Sequence, residues 1–370
     1  MREFSFILDI LRRDCLVKEL RERTRGFCWD LFLERVFSEG LAGLVFFEIK
    51  KRNLKEIFPS KVLLKLEDFY LTNLGRNLLI HKELEELFNF FESKNLTCFL
   101  NRGGFFSKYL YPSLGIRPLV DVDLVIFKED LNRFKEVFLD SGYNYYCDYP
   151  FFFFKDSFYI DLHLDKPGFW RIDSWPSEFT IRNIEVQKRS RPLKEEFSKV
   201  RIFDTYDLIL SSCQHLQEHS FSKLIWFMDV VKLIEASGEE FSWPILEERA
   251  KDFNLKKSLH FVVKYLQEKK LIALSSEEKI LNSSLNFLER KSLNFLISER
   301  RENISGEILF LFSLKGFRRR LNFLKETFLL KEEFFPLTEK PNIFFYFFRS
   351  VKILGYILKR LVKLICLKLA

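Results

Sequence analysis

Apolar side chains recur at spacings of three and four in FSFILDILRRDCLVKEL, RGFCWDLFLERVFSEGLAGLVFFEI and NLLIHKELEELFNFFES. That period gathers them on one helix face, so residues 1–92 are expected to be helical, punctuated at Gly40 and Pro59. The pattern changes at Asn95. LTCFL is a short apolar run that meets Asn101-Arg102-Gly103-Gly104, which reads as a strand entering a glycine turn. FFSKYLY follows as a short helix stopped by Pro112, and the segment from Val120 to Phe127 has the β-branched alternation of a strand. A helix is expected from Lys128 to Ser141, ended by Gly142. YNYYCDYPFFFFK and SFYIDLHLD then read as two strands of a hairpin around Lys155-Asp156-Ser157.

Residues 166–200 contain Pro167, Gly168, Pro176 and Pro192 and are expected to be irregular, with Val200-Arg201-Ile202-Phe203 as one more edge strand. From Asp204, an N-cap with Asp207 at N3, the period is helical almost to the last residue. The fold class is therefore α+β. A small mixed β-sheet core over 93–203 is flanked by the N-terminal helical segment, 1–92, and by a helical domain over 204–340. Residues 341–370 are expected to form a basic amphipathic C-terminal helix.

Composition changes this picture little. Apolar residues make up 47% of 370, with 45 Phe against 13 Gly and 10 Pro, which favours helix-rich packing over a turn-dense β fold. The net charge of +8 suits phosphate-bearing ligands, nucleic acid or an anionic surface without choosing among them. Cys15, Cys28, Cys98, Cys147, Cys213 and Cys366 form no CxxC pair, so a zinc site or disulfide framework is not expected, and reduced thiols in the cytoplasm are the default. The first twenty residues have charges within their apolar run and no small-residue cleavage site, so a signal peptide is not expected. No stretch approaches the roughly 18 uncharged apolar residues of a membrane span.

The candidate chemistry lies in Val120-Asp121-Val122-Asp123-Leu124. Residues i and i+2 of a strand share a face, so Asp121 and Asp123 point together while Val120, Val122 and Leu124 point into a core. Two close carboxylates repel unless a cation lies between them, and hard oxygen ligands select Mg²⁺ or Mn²⁺, which also bind nucleotide phosphates. Asp161 in Tyr159-Ile160-Asp161-Leu162-His163 would supply a third carboxylate if its strand lies beside the first. Three carboxylates holding two metals can catalyse an in-line phosphoryl displacement. Gly103 and Gly104 would let backbone N–H groups approach a triphosphate, with Ser107, Lys108 and Arg117 the nearest side chains able to touch phosphate oxygens.

This arrangement resembles the DNA polymerase beta-like nucleotidyltransferase superfamily and, more narrowly, the bacterial family of uncharacterised nucleotidyltransferases called NTP_transf_5. The resemblance is carried in order by Arg102-Gly103, Tyr111-Pro112, Arg117, Asp121-Val122-Asp123-Leu124, Asp161-Leu162-His163, His215, His219 and Trp226-Phe227-Met228-Asp229. Asn101-Arg102 stands where the family pattern has Leu-Lys. The resemblance implies transfer of a nucleoside monophosphate from an NTP to an acceptor, with pyrophosphate released. Asp121 and Asp123 would hold the metals, Asp161 would complete the site, and Arg102, Gly103 and Gly104 would cradle the triphosphate. The acceptor is open among small molecules, proteins and RNA.

Plainer readings stand beside these. His163 is either a phosphate or metal contact or a histidine capping its strand. His215 and His219 are one helical turn apart, with interhelical hydrogen bonding expected rather than zinc. Asp229, inside IWFMDVVKLI, must pair if buried, with His215, Lys223 or an Arg as its expected tether. Beyond Glu339 there is no acidic residue, and the last stretch can lie on an anionic membrane surface, pack on its own domain or dock a partner helix. The alternative to an enzyme is a nucleotide-binding scaffold without turnover, peripheral to the inner face of the membrane in surface-polysaccharide assembly.

Overall fold

The computed structural model describes residues 2–12, 17–146, 149–168, 177–273, 285–314 and 316–328, with Val351, Gly355 and Leu358. The N-terminal apolar stripes become helices at Arg2–Leu11, Val17–Arg23, Trp29–Ser38, Ala42–Lys51 and Ser60–Ser93. Pro59 occupies the N-cap of the last, and Gly40 turns the chain at φ +70°. The expected C-terminal helix over 341–370 lies outside the described residues, those three positions apart.

Seven strands follow: β1 (Cys98–Leu100), β2 (Val122–Ile126), β3 (Asn144–Tyr146), β4 (Tyr149–Lys155), β5 (Phe158–Leu164), β6 (Arg191–Lys194) and β7 (Phe197–Ile202). They form one mixed sheet in the order β3-β4-β5-β2-β1-β7-β6. The β4–β5 hairpin is present, antiparallel about Asp156-Ser157. Two inner contacts are parallel, β2 with β5 and β1 with β7, and each needs a long crossover, while β1 and β2 between them pair antiparallel. Buried Val122, Leu124, Ile160 and Leu162 alternate onto one face of the sheet. The helices Ser60–Ser93 and Leu131–Asp140 cover that face, with Phe91 against Phe134 at 4.9 Å and Phe138 stacked on Phe153 at 4.5 Å. Asp123, Asp161 and His163 are thereby left for the opposite face.

Four local expectations are corrected. The Gly103-Gly104 segment is no turn but the first turn of the helix Arg102–Tyr109, capped by the Asn101 side chain. Strand β2 begins only at Val122, and Val120, expected in the core, is 57% exposed. The run from Tyr143 to Lys155 is two strands rather than one, β3 and β4. Within 166–200 the chain forms the helix Ile184–Arg189, all of β6 and the start of β7. Here β7 is an inner strand, and the edge is β6, where Pro192 is tolerated because edge backbone need not donate on both sides.

After β7 the Asp204 carboxylate accepts the Asp207 N–H at 2.8 Å, as the sequence predicts for an N-cap, and the helix Thr205–Glu218 begins. Helices Leu224–Ser237, Trp243–Asp252, Lys256–Glu268, Phe287–Ile297, Gly306–Ser313 and Phe317–Phe328 complete the described chain. One apolar cluster runs from Phe4 through the sheet to Leu309, so the N-terminal helices, the sheet and the C-terminal helices as far as Gly306–Ser313 share a core, while Phe310, Leu314 and Phe323 form a smaller cluster. Glu39 ties them further. Its carboxylate accepts from the Leu224 N–H at 2.7 Å and from both Arg301 Nη atoms, at 3.0 and 2.8 Å. Among the described residues no helix is long and apolar enough to cross a membrane.

Candidate active site

Parallel pairing of β2 with β5 sets Asp123 directly beside Asp161, and Val125 beside His163. Side chains in register on adjacent strands share a face, so the DxD strand and the later Asp meet as the alternation predicted. One ligand atom each from Asp123, Asp161 and His163 lies within 4.8 Å of the others. Asp121, two residues before Asp123, lines the same cleft, whose volume is ≈ 380 Å³. Arg102 and Gly103 line it, and His215, His219, Lys223 and Trp226, from the first two C-terminal helices and the corner between them, form a further wall.

The charges in this cleft are tightly balanced. Arg102 donates from Nε and Nη2 to Asp123 Oδ2 at 3.2 and 2.9 Å. His163 Nε2 lies 3.1 Å from Asp123 Oδ1 and 3.6 Å from Asp161 Oδ2. The other His163 nitrogen, Nδ1, is 3.2 Å from the Gly168 carbonyl oxygen. Both nitrogens thus face acceptors, which requires two N–H groups and a charged ring. Burial opposes that charge, but Asp161 and then Asp123 raise the His163 pKa above its ordinary value. Burial also works to raise Asp123, yet Arg102 and the His163 hydrogen bond hold it well below the usual carboxylate range.

The other two carboxyls go the opposite way. Burial, then the Asp123 charge, push Asp121 up to about 6. Burial pushes Asp161 to about 7; His163 works against this, and Asp123 and Asp121 add to it. Carboxylates crowded in this way lose their repulsion when a divalent cation sits between them. Two carboxylates with an imidazole are a donor set for a hard or borderline divalent ion, so the residues present fit a metal. If Nε2 gave up its proton and bound it, the Nδ1–H bond to Gly168 would orient the ring, the usual second support of a metal-bound histidine.

The remaining predicted residues divide. Arg102, Gly103 and Arg117 line the cleft, whereas Gly104, Ser107 and Lys108 are not among its lining residues. Ser107 is fully buried against His81 Nε2 at 2.9 Å, and Lys108 pairs with Glu85 at 2.7 Å. A Cβ on Gly104 would come within 2.8 Å of Leu100 Cδ1 and 3.0 Å of Val122 Cγ1, so this glycine serves helix-on-sheet packing. Arg117 is buried in a bidentate pair with Asp229, Nε to Oδ1 and Nη2 to Oδ2 both at 2.9 Å, and Tyr111 donates to Oδ1 at 2.9 Å. The tether expected for Asp229 is therefore Arg117. Three separated motif residues meet in one buried knot behind the cleft.

His215 and His219 do not hydrogen-bond between helices among the described residues. Their rings pack together at 4.4 Å and against Trp226 at 4.6 and 5.3 Å. Burial, and next the Arg102 charge, keep both rings neutral, His219 at about 4 and His215 also well below its ordinary value. Their one-turn spacing, with a Trp eleven and seven residues on, was the available signal for this ring wall. Gly168 gave no such signal. It matters because a Cβ there would fall 2.0 Å from Gln214 Nε2 and 2.6 Å from Glu218 Oε1.

The sequence model of the NTP_transf_5 family, described as uncharacterised nucleotidyltransferase, matches residues 25–269, which span the helices from Trp29 onward, the sheet and the ring wall. No curated protein and no solved structure matches the chain.

Proposed function

This chain belongs to the uncharacterised nucleotidyltransferase family, and from that membership we propose that it transfers a nucleoside monophosphate from an NTP to an acceptor. The observation that carries the proposal is the register of Asp123 beside Asp161 on neighbouring strands, with Asp121 and His163 in the same cleft. In the proposed reaction an acceptor hydroxyl attacks the α-phosphorus. The bond from that phosphorus to the bridging oxygen breaks, and pyrophosphate leaves with the electron pair. Mg²⁺ or Mn²⁺ held by Asp121, Asp123 and Asp161 would neutralise charge on the attacking and leaving oxygens. Asp161, on the strand beside Asp123, would complete the metal site and help activate the hydroxyl, whose proton passes to a carboxylate of the site. Gly103, at the N-terminal turn of a helix, and Arg102 beside it border the space where the triphosphate would lie.

The test is incubation with each α-³²P-labelled NTP, Mg²⁺ or Mn²⁺ and cell extract, comparing wild type with Asp121→Ala/Asp123→Ala. Label moved only by wild type onto a small molecule, protein or RNA supports transfer and names the acceptor class. Absence of metal-dependent NTP binding rejects it. A second reading, a nucleotide-binding scaffold, is favoured by the donors already set against both Asp123 oxygens. It requires metal-dependent NTP binding with no label moved.

The proposed compartment is the cytoplasm. Residues 341–370, basic and without acidic residues, are proposed to hold the protein on the anionic inner face of a membrane. Flotation with phosphatidylserine vesicles should carry wild type but not a chain lacking 341–370, and equal flotation of both rejects this placement.

A further inference from the structure

Arg102 combines features that a simple phosphate-binding residue would lack. It is only 4% exposed and has φ +36°, a backbone conformation uncommon for a residue with a side chain. Its guanidinium places two N–H groups on the single oxygen Oδ2 of Asp123, which uses both lone pairs of that oxygen. The remaining arm, Nη1, donates to the Pro167 carbonyl at 3.0 Å and lies 3.4 Å from Ser211 Oγ. Asp123 therefore already holds a cation at Oδ2, and its other oxygen, Oδ1, faces His163 Nε2, so an entering metal meets a donor at either oxygen.

We propose that Arg102 is a resident counter-ion of Asp123 that moves to the triphosphate when nucleotide enters, so that divalent metal loads well only together with nucleotide. The proposal rests on the nucleotidyltransferase reading. A guanidinium and a divalent cation cannot share Oδ2, and their like charges repel. Arg102 lines the cleft, so an entering anion meets it directly. A triphosphate offers more charge and more oxygens than one carboxylate, and the guanidinium fork matches phosphate geometry. Each partner that draws Arg102 off Asp123 favours the other. Such coupling between two ligands commonly amounts to about 5–150-fold in affinity. Arg102 is then a positioning residue whose effect is read in metal affinity.

The test uses full-length protein with Mn²⁺ alone, bound metal being followed by loss of the free-ion electron paramagnetic resonance signal. Arg102→Met should bind Mn²⁺ about tenfold or more tighter than wild type, and adding Asp123→Asn to it should abolish the gain. Arg102→Lys, which keeps the charge but not the fork, should lie between; it decides the matter if the Met variant does not fold. Wild type binding Mn²⁺ as tightly as both variants overturns the proposal and leaves the proposed function standing. No Mn²⁺ bound by wild type or variants overturns the metal site itself. The second arm measures a fluorescent NTP analogue in EDTA. Arg102→Met should weaken its binding by about tenfold, and unchanged binding overturns the hand-over to phosphate.

Discussion

Replacing Asp229 by alanine tests the knot that joins the sheet to the C-terminal helices. Arg117 and Asp229 are 6% and 2% exposed, and the bidentate pair between them is completed by the Tyr111 hydroxyl. Asp229→Ala leaves a guanidinium buried with the Pro118 carbonyl, 3.1 Å from Nη1, as its remaining hydrogen-bond partner among the described residues. Breaking a buried pair from one side costs about 3–5 kcal/mol. The orphaned Tyr111 hydroxyl adds about 1 kcal/mol. The expected loss is therefore several kcal/mol, a large share of the ~5–15 kcal/mol that holds an ordinary domain folded. Urea unfolding followed by tryptophan fluorescence measures it, since Trp226 sits one helical turn before Asp229. Arg117→Met/Asp229→Leu removes both charges and should recover most of the loss, because apolar replacement of a buried pair is often neutral. A cost below about 1 kcal/mol for Asp229→Ala, or a double variant no better than the single one, refutes the argument. Arg117 would then be balanced by Asp121 across the cleft, whose charge also acts on it.

Burial, and next the Lys108 charge, lower the His81 pKa from 6.5 to about 4. Between those values the unfolded chain binds a proton that the folded chain refuses, so stability is full above pH 6.5 and falls as pH drops toward 4. The loss is at most about 3 kcal/mol, and His81→Leu should flatten this part of the stability–pH curve; an unchanged slope rejects the assignment. Gly104→Ala should cost about 1–3 kcal/mol through overpacking against Leu100 and Val122, lowering the melting temperature while NTP affinity stays the same. Normal melting with weakened NTP binding would return Gly104 to a phosphate-binding role.

The acidic site was legible because strand alternation is strict. Once Val122 and Leu124 are assigned inward, Asp123 has only one direction left, and Ile160 and Leu162 treat Asp161 and His163 alike, whereas Asp121 lies just before β2 and outside the alternation. The family resemblance was legible for a different reason, the order of its motifs, and the match over 25–269 bears it out. Helix phase was harder to read. A helix starting at Arg102 turns Ser107 through roughly 140° relative to it at about 100° per residue, which carries the hydroxyl to His81 and away from the cleft. Placing the helix start at Phe105, after a turn, hid that rotation. Strand β6 and the start of β7 were obscured by Pro192 and by the dependence of β7 on β1, about a hundred residues earlier. The ring wall depends on Ser220 and Phe221, both at positive φ (55° and 57°), in the corner between two helices. Non-glycine residues enter that conformation only when surrounding packing dictates it, so the corner is a tertiary property.

These placements narrow where an anionic ligand can sit. Arg102, Arg117 and Lys223 are the cationic residues lining the cleft, apart from its histidines. Arg117 is locked by Asp229 behind the wall, and the two ring-wall histidines are held neutral. Lys223 lies 5.7 Å from the Trp226 ring and, among the described residues, pairs with no carboxylate. Positive charge open to a ligand is thus concentrated at two places, Arg102 deep beside Asp123 and Lys223 near the ring wall. A polyanion entering the cleft gains most by reaching both, along a path that Asp121, Asp123 and Asp161 also line. On that path it meets three crowded carboxylates, and a divalent cation carried with it reconciles the two sets of negative charge. Nucleotide and metal are therefore expected to arrive as one binding event, with Arg102 the group that must give way.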